Sequence, residues 1–247
     1  MIQITRGECP DCLKESPTKG DLYRRKEVVK ALWDMQHGKC CYSERYLPQT
    51  GLDKHVEHFE PKSIFTWRRN EWNNLLLVSP QCNGRKSDQF PMVMASDEED
   101  ESIAKVVYLT QPADGEPAIV DPCSLDDDPE RHLTYVLDDR EELYGQVIPR
   151  EESPKGRITI EVTGIDDDIF YRERFERLTD VLQREFANLL RVKKGRNEDA
   201  VKAAIHTFEI LVASNTEYAG LARDFAREKK LDERFGLVIP VACAGIS

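Results

Sequence analysis

Apolar and polar positions alternate with different periods along this chain, and the changes of period mark its parts. Over residues 21–36 apolar side chains return every three or four positions, with Val28, Val29, Leu32 and Trp33 on one face. That spacing predicts an amphipathic helix, capped by Asp21 and ended by His37-Gly38. Trp33 and His37 read as core packing and a helix end. Residues 39–43 then read as a short strand or knuckle. Two strand-like pieces follow, at 55–62 (His-Val-Glu-His-Phe-Glu-Pro-Lys) and at 75–78 (Leu-Leu-Leu-Val), the second an unbroken apolar run that reads as buried. A helix-like stub, Cys82-Asn-Gly-Arg-Lys86, closes this part.

Further short strands are predicted at 106–108, at 118–122 (stopped by Pro122), at 133–137, and at 158–162 after a Pro/Gly turn. Asp126, Asp127 and Asp128 before Pro129 read as a turn with a helix cap, and the acidic run 97–101 as a solvated loop. From residue 166 the helical period returns. Asp166, Asp167 and Asp168 supply a cap and an acidic first turn. Phe175, Leu178, Val181, Leu182, Phe186, Leu189 and Leu190 form an apolar stripe, and Arg191, Lys193 and Lys194 stand before Gly195. The plain reading of those cations is compensation of the helix dipole; the sharper one is a phosphate-facing patch. Two more helices are expected, at about 198–211 and 217–230. No repeat or long linker appears. The expectation is an α+β, mainly helical single body: 1–95 with an N-terminal helix and a ββα unit, 96–165 acidic and irregular or β, and 166–247 helical.

Charge refines this picture. The 247 residues carry a net charge of −11, which by itself argues against nucleic-acid binding. Its distribution does not: residues 1–95 hold 15 Lys/Arg against 12 Asp/Glu, whereas 96–154 hold 4 against 18. The ββα part is mildly basic, so a phosphate-directed function survives there. The weak overall field predicts poor DNA affinity for the chain alone and points to a partner that supplies grip. No long apolar run or secretory h-region is present, which predicts a cytoplasmic protein without membrane contact. The 7 cysteines, an odd number, read as reduced thiols or metal ligands, and Cys9 and Cys12 as ordinary thiols.

Candidate chemistry gathers in residues 55–86. Hydrolysing a phosphodiester needs a cation to hold the phosphate, a base to activate water and a frame to align them. Glu57 is a hard oxygen ligand suited to Mg²⁺ or Mn²⁺. His58 can accept a proton at neutral pH. His55 shares the strand face of Glu57 and is a further ligand or a reserve base. Asn74 would tie the connecting loop to backbone groups and keep the base in place, and Asn83 could reach the metal as a neutral oxygen ligand. Lys62, Arg68, Arg69, Arg85 and Lys86 would meet phosphate oxygens. Taken singly, each of these features is commonplace in folded proteins; their order and spacing are not.

In that order and spacing, residues 39–88 resemble the ββα-metal finger of HNH endonucleases. The chain as a whole resembles the PtuB-type HNH nucleases of Septu and retron-linked anti-phage systems. The resemblance is carried by Val56-Glu-His-Phe-Glu-Pro-Lys62, Asn74-Leu-Leu-Leu, Cys82-Asn-Gly-Arg-Lys86, Asp121-Pro-Cys, Asp128-Pro-Glu-Arg-His-Leu133 and Thr159-Ile-Glu-Val-Thr-Gly-Ile165. It implies Glu57 and Asn83 as metal ligands, His58 as general base and Asn74 as loop organiser. It also implies DNA as substrate and a PtuA-like ATPase of the ABC/SMC type as partner. Many such fingers bind a structural zinc through paired C-x-x-C knuckles. Here the knuckles read Cys40-Cys-Tyr-Ser43 and Ser79-Pro-Gln-Cys82, and a serine hydroxyl is a poor zinc ligand, so no four-thiolate Zn²⁺ site is expected at Cys40 and Cys82. Two other readings stand beside the nuclease subunit: a degenerate scaffold that only binds, and a stand-alone restriction-type enzyme.

Overall fold

The computed structural model describes residues 1–14, 20–51, 53–94, 105–138 and 143–240. The acidic run 97–101, Cys243 and the side chain of Phe175 lie outside the described residues. A short helix α1 (Asp11–Lys14) and a 3₁₀ turn (Leu22–Arg24) precede α2 (Lys26–Met35). The helix therefore starts at Lys26 and not at residue 21. Asp21 stands at the N-cap of the 3₁₀ turn without a side-chain cap bond, its carboxylate 3.4 Å from both Arg24 and Arg69. Val28 and Leu32 are fully buried, and Val29 and Trp33 pack beside them. His37 and Gly38 end the helix at positive φ, and a Cβ on Gly38 would sit 2.6 Å from the Trp33 ring. Only glycine fits that approach.

Strands β1 (His55–His58) and β2 (Leu75–Val78) pair antiparallel, with Glu57 opposite Leu76 and His58 opposite Leu75. All four residues of β2 are buried, which explains its continuous apolar run. A buried strand needs every backbone group satisfied. The Gln36 side chain does this on one edge, donating to the Leu77 carbonyl and accepting from the Leu77 amide, each at 2.7 Å. Helix α3 (Pro80–Lys86) starts directly after β2. Ser79 caps it by accepting from the Cys82 amide at 3.3 Å, and Pro80 opens its first turn.

Strand β3 (Pro91–Met94) lies between β4 (Lys105–Tyr108) and β5 (Glu116–Pro117), antiparallel to both. No strand forms at 118–122: β5 ends before it at Pro117, and Ala118, Ile119 and Val120 run on as buried irregular chain. Asp128 caps the 3₁₀ turn Pro129–Arg131, and β6 (Leu133–Tyr135) pairs with β7 (Val147–Pro149).

The strand expected at 158–162 is instead the body of helix α4 (Pro154–Thr163). Ser153 caps it at the Gly156 amide, Pro154 opens it, and Gly164 ends it at φ 64°. The Thr159 and Thr163 hydroxyls donate to carbonyls one turn back, at 2.7 and 2.6 Å, so their polar groups are satisfied within the helix. Ile158, Ile160 and Val162 are all buried. A helix covered on several sides shows no one-sided period.

The helical region expected from residue 166 is present. It runs as α5 (Asp168–Arg174), a π turn (Phe175–Thr179), α6 (Asp180–Lys194), α7 (Glu198–Val212), α8 (Ala219–Glu228) and α9 (Leu231–Phe235). Leu178, Leu182 and Leu189 carry the buried stripe, while Leu190 is 38% exposed and leaves it. Helix α6 packs on α7, α7 on α8, and α8 on β6. Near this junction Glu44 accepts from the buried Met1 ammonium at 2.7 Å and from the Gly220 amide at 3.1 Å. No described helix is long and apolar enough to cross a membrane.

Candidate active site

Adjacent residues on β1 face opposite ways, and Glu57 and His58 do so while both remain buried, at 4% and 5% exposure. The Glu57 carboxylate meets α3. Its Oε1 lies 2.5 Å from the Lys86 ammonium, which also donates to the His58 carbonyl at 3.1 Å. Burial pushes the Glu57 carboxyl up, and Lys86 and then Lys62 pull against that.

The His58 ring turns toward the loop between the strands. Its Nε2 is 2.8 Å from the Arg69 carbonyl, and its ring meets the Tyr23 ring edge-on with centroids 4.6 Å apart. A carbonyl only accepts, so Nε2 carries the proton and Nδ1 of the neutral ring keeps its lone pair. Burial, opposed by the Arg69 carbonyl and reinforced by the charges of Lys62, Lys86 and Arg69, lowers the His58 pKa to about 4. The imidazole is therefore neutral near pH 7, and a weaker base than a free one.

Asn74 holds the loop that carries Arg69. Its amide oxygen accepts from the Glu60 amide at 2.8 Å, and its NH₂ donates to the carbonyls of Glu60 at 2.9 Å and Arg68 at 3.2 Å. From the other side, the Arg6 guanidinium donates to the carbonyls of Trp72 at 3.1 Å, Asn73 at 2.9 Å and Leu75 at 2.5 Å.

Asn83 is half-buried on α3, one turn before Lys86 and so on the same side of the helix. Glu57 and Asn83 offer hard oxygen donors, a set that suits an Mg²⁺-like ion keeping part of its water. Among the described residues, no three or more His, Cys, Asp or Glu are grouped to hold a metal ion. His55, at the outer end of β1, is exposed while Glu57 is buried, so the shared strand face does not give them a shared environment.

The cations differ from the expectation of a phosphate-facing set. Lys86 is fully buried against Glu57. Arg68 is held between Glu60 and Glu71, and Arg85 pairs with Asp167 at 2.8 Å. Lys62 sits over the Tyr23 ring at 5.2 Å, half-buried, and Arg69 lies 3.4 Å from Asp21. These last two are the ones left beside His58. Tyr23 and the Arg69 carbonyl were not singled out by the sequence pattern, and no signal in the chain marks them. Backbone groups have no residue code, and Tyr23 lies outside the motif.

The two knuckles meet behind the hairpin. Cys40, Ser43, Ser79 and Cys82 are all buried. Cys40 Sγ lies 3.8 Å from Ser79 Oγ and accepts from the Ser43 amide at 3.5 Å. Burial acts against the Cys40 thiolate, but hydrogen bonds from Cys41, Cys82 and Ser43 outweigh it and hold its pKa down. The six described cysteines are free thiols.

The Septu protein PtuB of Bacillus thuringiensis is 33% identical to the chain over 95 residues, which is 35% of this chain and 37% of that protein. The chain thus has a PtuB-type relationship over about a third of its length, and the match spans little more than a third of the relative. No family model matches the chain.

Proposed function

We propose that this chain is the nuclease subunit of an anti-phage defence pair. In this reading it is an HNH-type endonuclease that hydrolyses DNA with Mg²⁺ or Mn²⁺, working beside a PtuA-like ABC/SMC-type ATPase. One observation carries the reading: a neutral His58 imidazole, fixed through Nε2 by a loop that Asn74 ties down, lies next to Glu57 on a hairpin packed against a short helix. The relationship to PtuB supports the defence setting, since PtuB is one part of a two-component system with PtuA.

His58 Nδ1 takes the proton from the attacking water, and the Arg69 carbonyl holds the ring in the tautomer that leaves Nδ1 free. Glu57 and Asn83 would hold the divalent ion. When bound, that ion neutralises charge on the phosphate and on the departing oxygen. Lys62 and Arg69, whose charges act on the ring, steady the DNA backbone.

Plasmid nicking with Mg²⁺ or Mn²⁺, with and without the ATPase, tests this. His58→Ala and Asn83→Ala should each lose on the order of 100-fold or more in rate with an unchanged circular dichroism spectrum. Full activity in His58→Ala would remove the mechanism. A binding subunit without activity is the second reading, favoured by the 5% exposure of His58 and by the lysine lying against Glu57. It predicts DNA or partner binding with no nicking under any of these conditions. Strong cutting without the ATPase would favour a stand-alone enzyme.

A further inference from the structure

Lys86 is unusual among the cations of this region. Its side chain has 0% exposure, its ammonium touches Glu57 Oε1, and it also holds the His58 carbonyl. Leaving that position would strip both oxygens of their partner inside the protein, so the charge stays where it is. The other charged groups facing Glu57 are Lys62 and Asp88, which oppose one another. Glu57 is thus an acidic oxygen donor whose charge is already cancelled, and Asn83 brings none. A divalent ion there meets a nearby positive charge with little negative charge to offset it.

We propose that Lys86 makes ion uptake contingent on phosphate. The free protein holds a divalent cation weakly, and firm binding begins once a phosphodiester adds negative charge at Glu57 and Asn83. This rests on the nuclease reading above and assigns Lys86 a positioning and charge-setting role in place of phosphate contact. Ions of the Mg²⁺ class suit such a site because they combine one or two protein oxygens with substrate phosphates.

Mn²⁺ binding to the whole chain, followed by electron paramagnetic resonance of the free ion, tests the proposal without reference to activity. The probe is a phosphorothioate DNA duplex, added until fluorescence anisotropy shows it fully bound. Wild-type protein should bind Mn²⁺ about tenfold or more tightly with the duplex than without it. Lys86→Gln keeps hydrogen-bond donors and loses the charge. It should bind Mn²⁺ about tenfold more tightly than wild type in the absence of DNA, with a smaller response to the duplex. A folded Lys86→Gln protein with unchanged or weaker affinity overturns the proposal, and so does a wild-type affinity that ignores the duplex. If Lys86→Gln fails to fold, the wild-type comparison decides alone. Glu57→Gln separates the two levels: Mn²⁺ binding as strong as wild type in that variant defeats the ligand assignment of the nuclease reading, whatever Lys86 does.

Discussion

Asn74 commits its whole amide to backbone groups, closing the segment between β1 and β2 into a ring through Glu60 and Arg68. Arg69 follows directly and presents its carbonyl to His58. Asn74→Ala leaves those buried groups unmatched. With about 1–3 kcal/mol for each one left unpaired and some relaxation, a loss of about 2–3 kcal/mol is expected. For a chain of this length that lowers the melting temperature by about 5–10 °C. Nicking should fall by about tenfold or more at temperatures where the variant is folded, because the ring loses its fixed orientation. A variant that melts early yet cuts normally would show that the loop acts on stability alone. At this scale the sequence is informative about which acid, imidazole and amides stand close along the chain. It is silent about which cations are free. Arg68 looks available until Glu60 and Glu71 are seen on either side of it. Arg85 meets a partner 82 positions away, and Lys86 is in the core. Charge is written in the residue code, whereas its solvation follows from packing.

Among the elements, α4 best shows where pattern reading stops. Its β-branched residues imitate a strand, and its polar face is narrow, carried mainly by Arg157 and Glu161. The decisive signal was Ser153-Pro154, a cap followed by a proline already holding helical φ. Hairpin β1–β2 and helix α6 were legible for the opposite reason, since short apolar runs bounded by turns and a long one-sided stripe are hard to mistake. Helix α4 also yields a ranking of variants. Ser153→Ala removes the cap at a cost of about 1 kcal/mol. Gly156→Ala should cost more, because its Cβ would lie 2.1 Å from the His132 carbonyl oxygen, which already accepts from Arg150. Calorimetry on the two variants should find Gly156→Ala melting clearly below Ser153→Ala; the reverse order would mean that this contact relaxes easily.

At the scale of the whole molecule, His58 and Glu44 each cost the fold stability in acid. His37, also lowered by burial, acts with His58, whereas Glu57, Asp121 and Asp166, pushed up by burial, act the other way. His58 has a folded-state pKa of about 4, below its ordinary 6.5. As pH falls through that window the unfolded chain takes up a proton that the folded chain refuses, so stability declines. Glu44 acts lower down. Burial raises its pKa, but the Met1 ammonium and Lys39 outweigh this and hold it at about 2, against an ordinary 4.5. Its contribution is present above 4.5 and lost as pH drops toward 2. The His58 and Glu44 contributions therefore lower the melting temperature on acidification from neutrality. His58→Gln should reduce the slope between 6.5 and 4, leaving the part due to His37, and keep the lower part intact. A slope between 6.5 and 4 that His58→Gln leaves unchanged would contradict the burial of the imidazole.

Arg6 lends this arrangement a tether from far outside the motif. Its guanidinium gathers the carbonyls of Trp72, Asn73 and Leu75 just where Asn74 begins its own ring. The N-terminal segment thereby reaches to within one residue of the clasp behind the imidazole. Loosening Arg6 would therefore slacken the support behind the His58 ring without any contact to that ring.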